Sequence, residues 1–319
     1  MEIFYDSIQE GRWFQSLHPK LNDTILSRFP LQHHMPKLLS NVLAYDKPDI
    51  VLTDQGKPIL VIERTIEVPS GHNVGQRFAR LAAAAQMQIP VVYFLPYAAY
   101  KHGGSTQGPR YMNLRLFQAL KNLASIEKSA ISTIKWPVDE RYEIIQNPSK
   151  DIRMKDYLAL FFDLYPKLYW DDLIQAIKTS EFEQEQEAER KKFISTDVVN
   201  PAQYDDPPSS VSIGHSSMLP GLLNADISNL KCFETVLYKI DTRNIRSDPY
   251  TGMSILYLYL YCSGMRNRTR NLVLHFPRIS KEKWQTTAQS SPERKDIKLF
   301  RLAADGILFS DDYLPKSAL

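Results

Sequence analysis

Hydrophobic and polar positions predict a β-hairpin in residues 46–67, which read DKPDIVLTDQGKPILVIERTIE. The runs PDIVLTD and PILVIERTIEV are rich in β-branched residues and flank the polar connection DQGK, where Gly56 favours a tight turn. The second run is almost continuously apolar from Ile59 to Ile62. Strands of this composition are usually covered on both faces, so we predict that it lies centrally in a sheet.

A helix and a buried strand are predicted to follow the hairpin. The segment SGHNVGQRFARLAAAAQM has an alanine-rich helical pattern, for which Ser70 or Asn73 is a suitable N-cap. The run PVVYFLP then predicts a buried strand. This order of elements predicts a sheet that is antiparallel on one side and parallel on the other, and therefore a mixed α/β fold class.

Helical patterns are predicted in the other parts of the first two thirds of the chain. Residues 1–45 should form short helices separated at prolines, and residues 111–123 should form another helix. The apolar spacing over residues 154–178 predicts a helix that Pro166 kinks or splits. The sequence SEFEQEQEAERKKF after it is typical of a charged, exposed helix or a linker.

A stretch rich in Pro, Ser, Asp and Gly at residues 196–222 indicates a boundary. We therefore predict a core region over residues 1–195, a linker or loop over residues 196–225, and a C-terminal α/β region over residues 226–319. The predicted strands of the last region are LYKIDTR, SILYLYLYC, NLVLHFPRI and DGILFSD.

The composition excludes few classes of function. The chain has 319 residues, 43% of them hydrophobic, which is enough for well-formed cores. Its net charge of +3 does not by itself indicate a nucleic-acid partner. The two cysteines have no zinc-ligand spacing, and no apolar stretch reaches the roughly 18 residues that span a membrane. We expect a cytoplasmic protein without a membrane partner.

Two acids of the predicted hairpin suggest chemistry. Asp49 begins the first strand and Glu63 lies near the end of the second, with the turn between them. Antiparallel pairing can bring these positions to one end of the hairpin. Converging carboxylates suit Mg²⁺, which prefers oxygen ligands and is usually held by one or two carboxylates together with water and phosphate. Such a metal can activate a water molecule for attack on phosphorus.

The chain resembles the PD-(D/E)XK nuclease superfamily over roughly residues 40–96, that is, in Pro48-Asp49, a hydrophobic strand, a turn with Gly, the sequence VIERT, a helix and a buried strand. The resemblance implies a restriction-endonuclease-like core of a mixed sheet flanked by helices, and Mg²⁺-dependent hydrolysis of phosphodiester bonds, with Mn²⁺ as a substitute. It also implies that Asp49 and Glu63 are metal ligands and that the carbonyl group of Arg64 adds a third.

Thr65 occupies the position at which this family has a lysine that orients or activates the attacking water. The helix after the hairpin offers Gln76, Arg77 and Arg80 as replacements, and Arg77 is the leading candidate. An arginine cannot act as a base at neutral pH, so its role would be electrostatic and positional.

Three further residues are weaker candidates. Glu67 is expected on the same strand face as Thr65, where it could hold a second metal or activate water. His72, in the predicted loop SGHN, could act as a base or contact phosphate, or simply form hydrogen bonds within the loop. Glu10 resembles an acid that many family members supply from an early helix.

A locally basic segment suggests DNA recognition. Between Arg266 and Arg301 there are ten cationic residues and three acidic ones. The loop SGMRNRTRN contains Arg266, Arg268 and Arg270, and arginines of this kind contact phosphates or guanine edges, although a solvated turn is the simpler alternative. The predicted strand SILYLYLYC before this loop, which we call the Tyr/Leu strand, is expected to be a core strand. A surface on which unpaired bases stack is the alternative.

These observations lead to a first hypothesis and two alternatives. The first is a Mg²⁺-dependent restriction-type endonuclease for double-stranded DNA in restriction-modification or another anti-phage defence, acting as a homodimer beside a cognate methyltransferase. The second is an inactive DNA-binding or assembly module with the same fold. The third is a defence nuclease activated by RNA or a nucleotide.

Overall fold

The computed structural model describes residues 1–31, 34–68, 72–100, 108–112, 114–195, 209–218, 227–241, 243, 245, 262, 269–289 and 293–319. Side chains at a few positions within the helices and strands, among them His72 and Gln76, are also outside the described part. The chain forms two compact units, residues 1–70 with 80–201 and residues 71–79 with 202–319. Most residues of the predicted Tyr/Leu strand and most residues of the predicted linker lie outside the described residues.

The first unit is built on a six-stranded mixed sheet. Its strands are β1 (Glu2–Tyr5), β2 (Ile25–Arg28), β3 (Ile50–Asp54), β4 (Lys57–Arg64), β5 (Val91–Leu95) and β8 (Ile131–Lys135). They are arranged in the order β2-β1-β3-β4-β5-β8. Strand β4 pairs antiparallel with β3 and parallel with β5. The mixed α/β class, the hairpin and the central position of β4 are therefore confirmed.

The helices of this unit follow the predicted pattern in part. They are α1 (Ile8–Gln15), α2 (Lys37–Val42), α3 (His72–Gln86), α4 (Leu114–Ile126), α5 (Ile152–Leu164), α6 (Trp170–Thr179) and α7 (Glu181–Ile194). Pro166 separates α5 from α6, as predicted. The short strands β6 (Ala98–Ala99) and β7 (Arg110–Tyr111) form a separate pair. Residues 72–79 of α3 belong to the second unit and residues 80–86 to the first.

The prediction that residues 1–45 are helical is wrong at two places. Residues Glu2–Tyr5 and Ile25–Arg28 are strands that pair in parallel, and β1 also pairs antiparallel with β3. These residues form backbone hydrogen bonds with strands that are distant in sequence, and this pairing outweighs their local helical pattern. His72 is likewise the first residue of α3 rather than part of a loop.

The hairpin turn follows from its two central residues. Gln55 and Gly56 have φ angles of 48° and 77°. Positive φ at both positions is typical of a type I′ turn, whose twist matches that of the flanking strands. The turn pairs Asp54 with Lys57, and a register shift of one residue between Leu52 and Thr53 then places Ile50 opposite Ile62. Consequently the next positions outward, Asp49 and Glu63, lie at the same end of the hairpin.

Besides residues 72–79 of α3, the described part of the second unit contains a five-stranded mixed sheet and two α-helices. The strands are β9 (Ser209–His215), β10 (Glu234–Ile240), β11 (Asn271–His275), β12 (Gly306–Leu308) and β13 (Tyr313–Pro315), in the order β13-β12-β11-β10-β9. The helices are α8 (Lys281–Ala288) and α9 (Lys295–Ala303). Three of the four strands predicted for this region are present, and the fourth is the Tyr/Leu strand.

Candidate functional site

The structure brings Asp49 and Glu63 together at the end of the β3–β4 hairpin. The Nη1 atom of Arg80 lies 2.8 Å from Glu63 Oε1 and 3.4 Å from Asp49 Oδ1. The two carboxylates therefore converge on a single nitrogen atom. Glu63 is fully buried and Asp49 is 8% exposed, so water screens this interaction poorly.

A third acid completes the cluster. Arg80 Nε donates a hydrogen bond of 3.0 Å to Oδ2 of Asp46, which lies in the chain just before β3. We refer to Asp46, Asp49, Glu63 and Arg80 as the carboxylate–arginine cluster. Burial opposes ionisation of Arg80, but attraction by Glu63, Asp46 and Asp49 outweighs it and raises the pKa of the guanidinium. Arg80 thus remains charged across the physiological pH range.

The backbone and side chain of Arg64 have different surroundings. Its backbone N–H donates a hydrogen bond of 2.6 Å to Asp49 Oδ2, which fixes that carboxylate. Its guanidinium carbon lies 4.6 Å from the ring centroid of Trp13 and 5.2 Å from that of Trp136. Successive side chains of a strand point to opposite faces, so the Arg64 side chain lies away from Glu63 and Arg80. The predicted role of the Arg64 carbonyl group stays a prediction.

Thr65 closes a turn. Strand β4 ends at Arg64, and the Thr65 hydroxyl accepts a hydrogen bond of 3.0 Å from the backbone N–H of Glu67. Such side-chain bonds to the backbone two residues later are characteristic of Ser and Thr in turns. The expectation that Glu67 shares a strand face with Thr65 is therefore wrong, because the strand has ended. Thr65 is buried and Glu67 is exposed.

Glu10 is half-buried on α1 and is electrostatically coupled to the cluster. Burial, followed by the negative charge of Asp49, raises its pKa to about 7, while Arg64 acts in the opposite direction. Glu10 therefore exchanges its proton near neutral pH. The charge of Asp49, one of the predicted metal ligands, therefore acts on an acid of the early helix α1.

The helix α3 supplies the cation of the cluster through Arg80. Arg77 lies one turn earlier on the same helix and is partly buried, in the segment that belongs to the second unit. The roles predicted for His72, Gln76 and Arg77 stay predictions. Sequence reasoning favoured Arg77 over Arg80 and missed Asp46. Two features of the sequence could have indicated these residues. Arg80 lies three positions after Arg77, on the same side of the helix, and Asp46 lies three positions before Asp49.

The donor set of the cluster fits a hard divalent cation. Asp49 and Glu63 offer oxygen atoms that converge on one point, now reached by Arg80 Nη1. In the part of the chain that the structure describes, no three His, Cys, Asp or Glu side chains are arranged as a metal site. Mg²⁺ often has only one or two carboxylate ligands and completes its shell with water and phosphate, so two acids are sufficient.

Five cations of the basic segment are paired with acids in the part of the chain that the structure describes. Arg270 Nε lies 3.0 Å from Glu234 Oε2, whereas Arg266 and Arg268 are outside the described residues. The other ion pairs are Arg278–Asp241, Lys281–Asp312, Arg294–Asp296 and Arg301–Glu293. Several partners lie outside the segment, so counting its charges overstates how basic it is.

Comparison of the chain with protein-family models, curated proteins and solved structures found no match. Among the described helices, none is both long and apolar enough to cross a bilayer. Any functional conclusion therefore depends on the chemistry of the site itself.

Proposed function

We propose that this chain is a Mg²⁺-dependent endonuclease of restriction type that hydrolyses phosphodiester bonds in double-stranded DNA. The observation that carries the proposal is the convergence of Asp49 and Glu63 on one nitrogen atom of Arg80. Two buried acids aimed at a single point can hold a cation there.

The arrangement of elements supports the same proposal. The acids lie on an antiparallel hairpin, which is followed by the helix α3 and by a strand parallel to β4. This is the order on which the resemblance to the PD-(D/E)XK superfamily rests. The resemblance covers the part of the sheet that carries the carboxylate–arginine cluster.

The residues of the cluster have separable tasks in this proposal. Asp49 and Glu63 would hold Mg²⁺, which would activate water and stabilise the leaving oxygen. Arg64 fixes Asp49 through its backbone N–H. Arg80 stays protonated, so it contributes positive charge and cannot accept a proton. It offsets the negative charge that the acids and a phosphodiester would otherwise bring together.

The biological setting is part of the proposal. Cleavage of both strands of a duplex favours a homodimer with two active sites. A restriction-modification or other anti-phage role would require a partner methyltransferase or another means of protecting the host DNA. Recognition would fall to the C-terminal region and its arginines Arg266, Arg268 and Arg270. Arg270 forms an ion pair with Glu234, and it would have to give up this ion pair in order to contact a phosphate.

Plasmid cleavage tests the proposal. Supercoiled DNA of varied sequence is incubated with the full chain and Mg²⁺ or Mn²⁺, and nicked and linear products are measured. We expect cleavage by the natural chain and by Asp54→Asn, which alters an acid at the opposite end of the same hairpin. We expect none from Asp49→Asn or Glu63→Gln. Full activity in either of these two variants would show that the site is wrongly assigned.

A second candidate function is favoured by the position of Arg80. Its guanidinium lies at the point where a metal would bind, as in a site that has lost catalysis and kept its fold. The chain would then be a DNA-binding or assembly module. Salt-dependent DNA binding without a stabilising effect of Mn²⁺ on the folded chain would favour this candidate.

A further inference from the structure

The side chain of Arg64 stacks on two tryptophan rings at the end of β4. Its guanidinium carbon lies 4.6 Å from the ring centroid of Trp13, on α1, and 5.2 Å from that of Trp136, which directly follows β8. The ring of Phe94, on β5, packs against both indoles and is inclined by 3° to Trp13 and by 16° to Trp136. A flat cation gains cation–π attraction from each aromatic face that it contacts. We refer to these four side chains as the arginine–tryptophan stack.

Hydrogen bonds fix both indole rings of the stack. Trp13 Nε1 donates a hydrogen bond of 2.8 Å to Asp151 Oδ1, and Asp151 Oδ2 accepts another of 2.8 Å from Lys150 Nζ. Trp136 is fully buried, and its Nε1 donates a hydrogen bond of 2.8 Å to the carbonyl group of Ile145. The rings therefore hold the guanidinium in place before a ligand arrives, which lowers the entropic cost of binding.

The N–H groups of the Arg64 guanidinium are available to a ligand. Within the described part of the chain this guanidinium makes no hydrogen bond and no ion pair. It acts on Glu10 electrostatically, but burial and the charge of Asp49 outweigh it, so the pKa of Glu10 is raised. Arg64 is only partly buried, and its nitrogen atoms are not among the unpartnered polar atoms that are closed off from solvent. By contrast, Arg80 contacts three acids.

The stack lies at the carboxyl ends of three parallel strands. Strands β4, β5 and β8 are neighbours in the sheet, and Arg64 is the last residue of β4. In open α/β sheets, ligands bind outside the carboxyl ends of the strands. The same end of the sheet carries Asp49, whose Oδ2 accepts the hydrogen bond from the Arg64 backbone N–H. A ligand held by the Arg64 side chain would thus lie beside the proposed metal site.

The donors of Arg64 suit a phosphate group. The planar guanidinium can donate two parallel hydrogen bonds to two oxygen atoms of one phosphate. A nucleic-acid strand carries a phosphate roughly every 3.4 Å along the helix axis, so a strand with one phosphate at Asp49 and Glu63 brings further phosphates close to it.

We propose that Arg64 binds a phosphate group of the DNA strand, next to the phosphodiester that lies at Asp49 and Glu63. The side chain would position the strand, while the backbone N–H of the same residue fixes Asp49. This inference rests on the DNA-binding part of the proposed function. It does not require that the chain cleave DNA.

The salt dependence of DNA binding tests the inference. Fluorescence anisotropy of a labelled duplex oligonucleotide is measured with the full chain in EDTA, at salt concentrations between about 50 and 200 mM. We expect the natural chain to bind. We expect Arg64→Gln to bind about tenfold more weakly and to reduce the slope of log K against log salt by about 0.9, the contribution of one phosphate contact.

Two further variants make the result specific. Lys57→Gln is the matched control, because it also removes one positive charge, from an exposed residue at the opposite end of β4. It should keep the natural affinity and slope. Arg64→Lys keeps the charge and loses the planar fork, so it should keep the slope and bind with an affinity between those of the natural chain and Arg64→Gln. Circular dichroism checks that each variant is folded.

The outcomes separate this inference from the proposed activity. EDTA prevents metal-dependent cleavage, so a failure to cut plasmid contradicts only the proposed activity. Equal affinity and slope for the natural chain and Arg64→Gln would overturn the inference, as would an equal loss in Lys57→Gln or the absence of duplex binding by the natural chain. If Arg64→Gln does not fold, Arg64→Lys decides: weaker binding supports the inference, and unchanged affinity overturns it.

Discussion

Arg80 Nη1 lies 2.8 Å from Oε1 of Glu63, a carboxylate with no exposed surface. A buried acid of this kind is stable as an ion only with a partner of opposite charge. The contact joins the helix α3 to the end of the central strand β4. It therefore links the stability of the fold to the chemistry proposed for the site.

Arg80→Met should lower the free energy of unfolding by about 3–5 kcal/mol, because it leaves Glu63 buried without this cation. Urea denaturation followed by circular dichroism measures the change. The loss should be much smaller in a background that already carries Glu63→Gln, since the contact is then absent from both proteins. Additive effects of the two substitutions would show that the contact contributes little.

Divalent metal should compensate for the loss of Arg80. In the proposed site Mn²⁺ and the guanidinium are attracted to the same two carboxylates, so Mn²⁺ should stabilise Arg80→Met more than it stabilises the natural chain. At a concentration about 100 times its Kd the metal adds about 2.7 kcal/mol. Thermal unfolding with and without Mn²⁺ measures the effect. An equal metal effect on both proteins would argue against a shared position.

Thr65→Lys should not create a more active nuclease. The Thr65 hydroxyl closes the turn after β4, and its loss together with the burial of a lysine should cost about 1–3 kcal/mol of stability. Thr65→Ser keeps the hydroxyl and serves as the control, with a cost below about 1 kcal/mol. Urea denaturation and plasmid cleavage are the measurements. Increased cleavage by Thr65→Lys would show that this position retains a catalytic role.

Glu10 should make the stability of the chain depend on pH. Its pKa in the folded state is raised to about 7 from an ordinary value of 4.5. As the pH rises from 4.5 to 7, the unfolded state loses this proton first, so the folded state becomes relatively less stable. Glu10→Gln should therefore be increasingly stable relative to the natural chain across this window, with a constant difference above it.

Urea denaturation at several pH values checks this prediction. Asp49→Asn removes one of the causes of the shift, so the midpoint of the Glu10 effect should move to lower pH in that background. A stability difference that does not change between pH 4.5 and 7 would show that Glu10 does not titrate as described.

The parts of the fold that sequence predicted well depend on local physics. Gly56 and the apolar run of β4 define the hairpin by themselves, and Pro166 ends a helix because it lacks an N–H group. The strand Ile25–Arg28 was not predicted because its pairing partner lies more than twenty residues away in sequence. Its apolar spacing is equally compatible with a short helix, and only the sheet decides between them.

The candidate site, like the fold, was predicted from the sequence only in part. The sequence indicated that antiparallel pairing brings Asp49 and Glu63 to one end of the hairpin. It did not indicate the register shift between Leu52 and Thr53 that sets which residues lie opposite each other there. The contact of Arg80 with Glu63 joins residues 17 positions apart, so it depends on tertiary packing that the local helical pattern does not reveal. The ion pair between Arg270 and Glu234 joins residues 36 positions apart, so the charge count of the basic segment could not reveal it.

Mn²⁺ binding, followed by electron paramagnetic resonance on the full chain, tests whether Asp49 and Glu63 are metal ligands. We predict one Mn²⁺ per chain for the natural protein and for Asp54→Asn, and loss of this binding in Asp49→Asn and in Glu63→Gln. Each variant must retain its folded circular dichroism spectrum. Equal Mn²⁺ binding by all four folded proteins, or binding by none of them, would contradict the assignment of Asp49 and Glu63 as metal ligands.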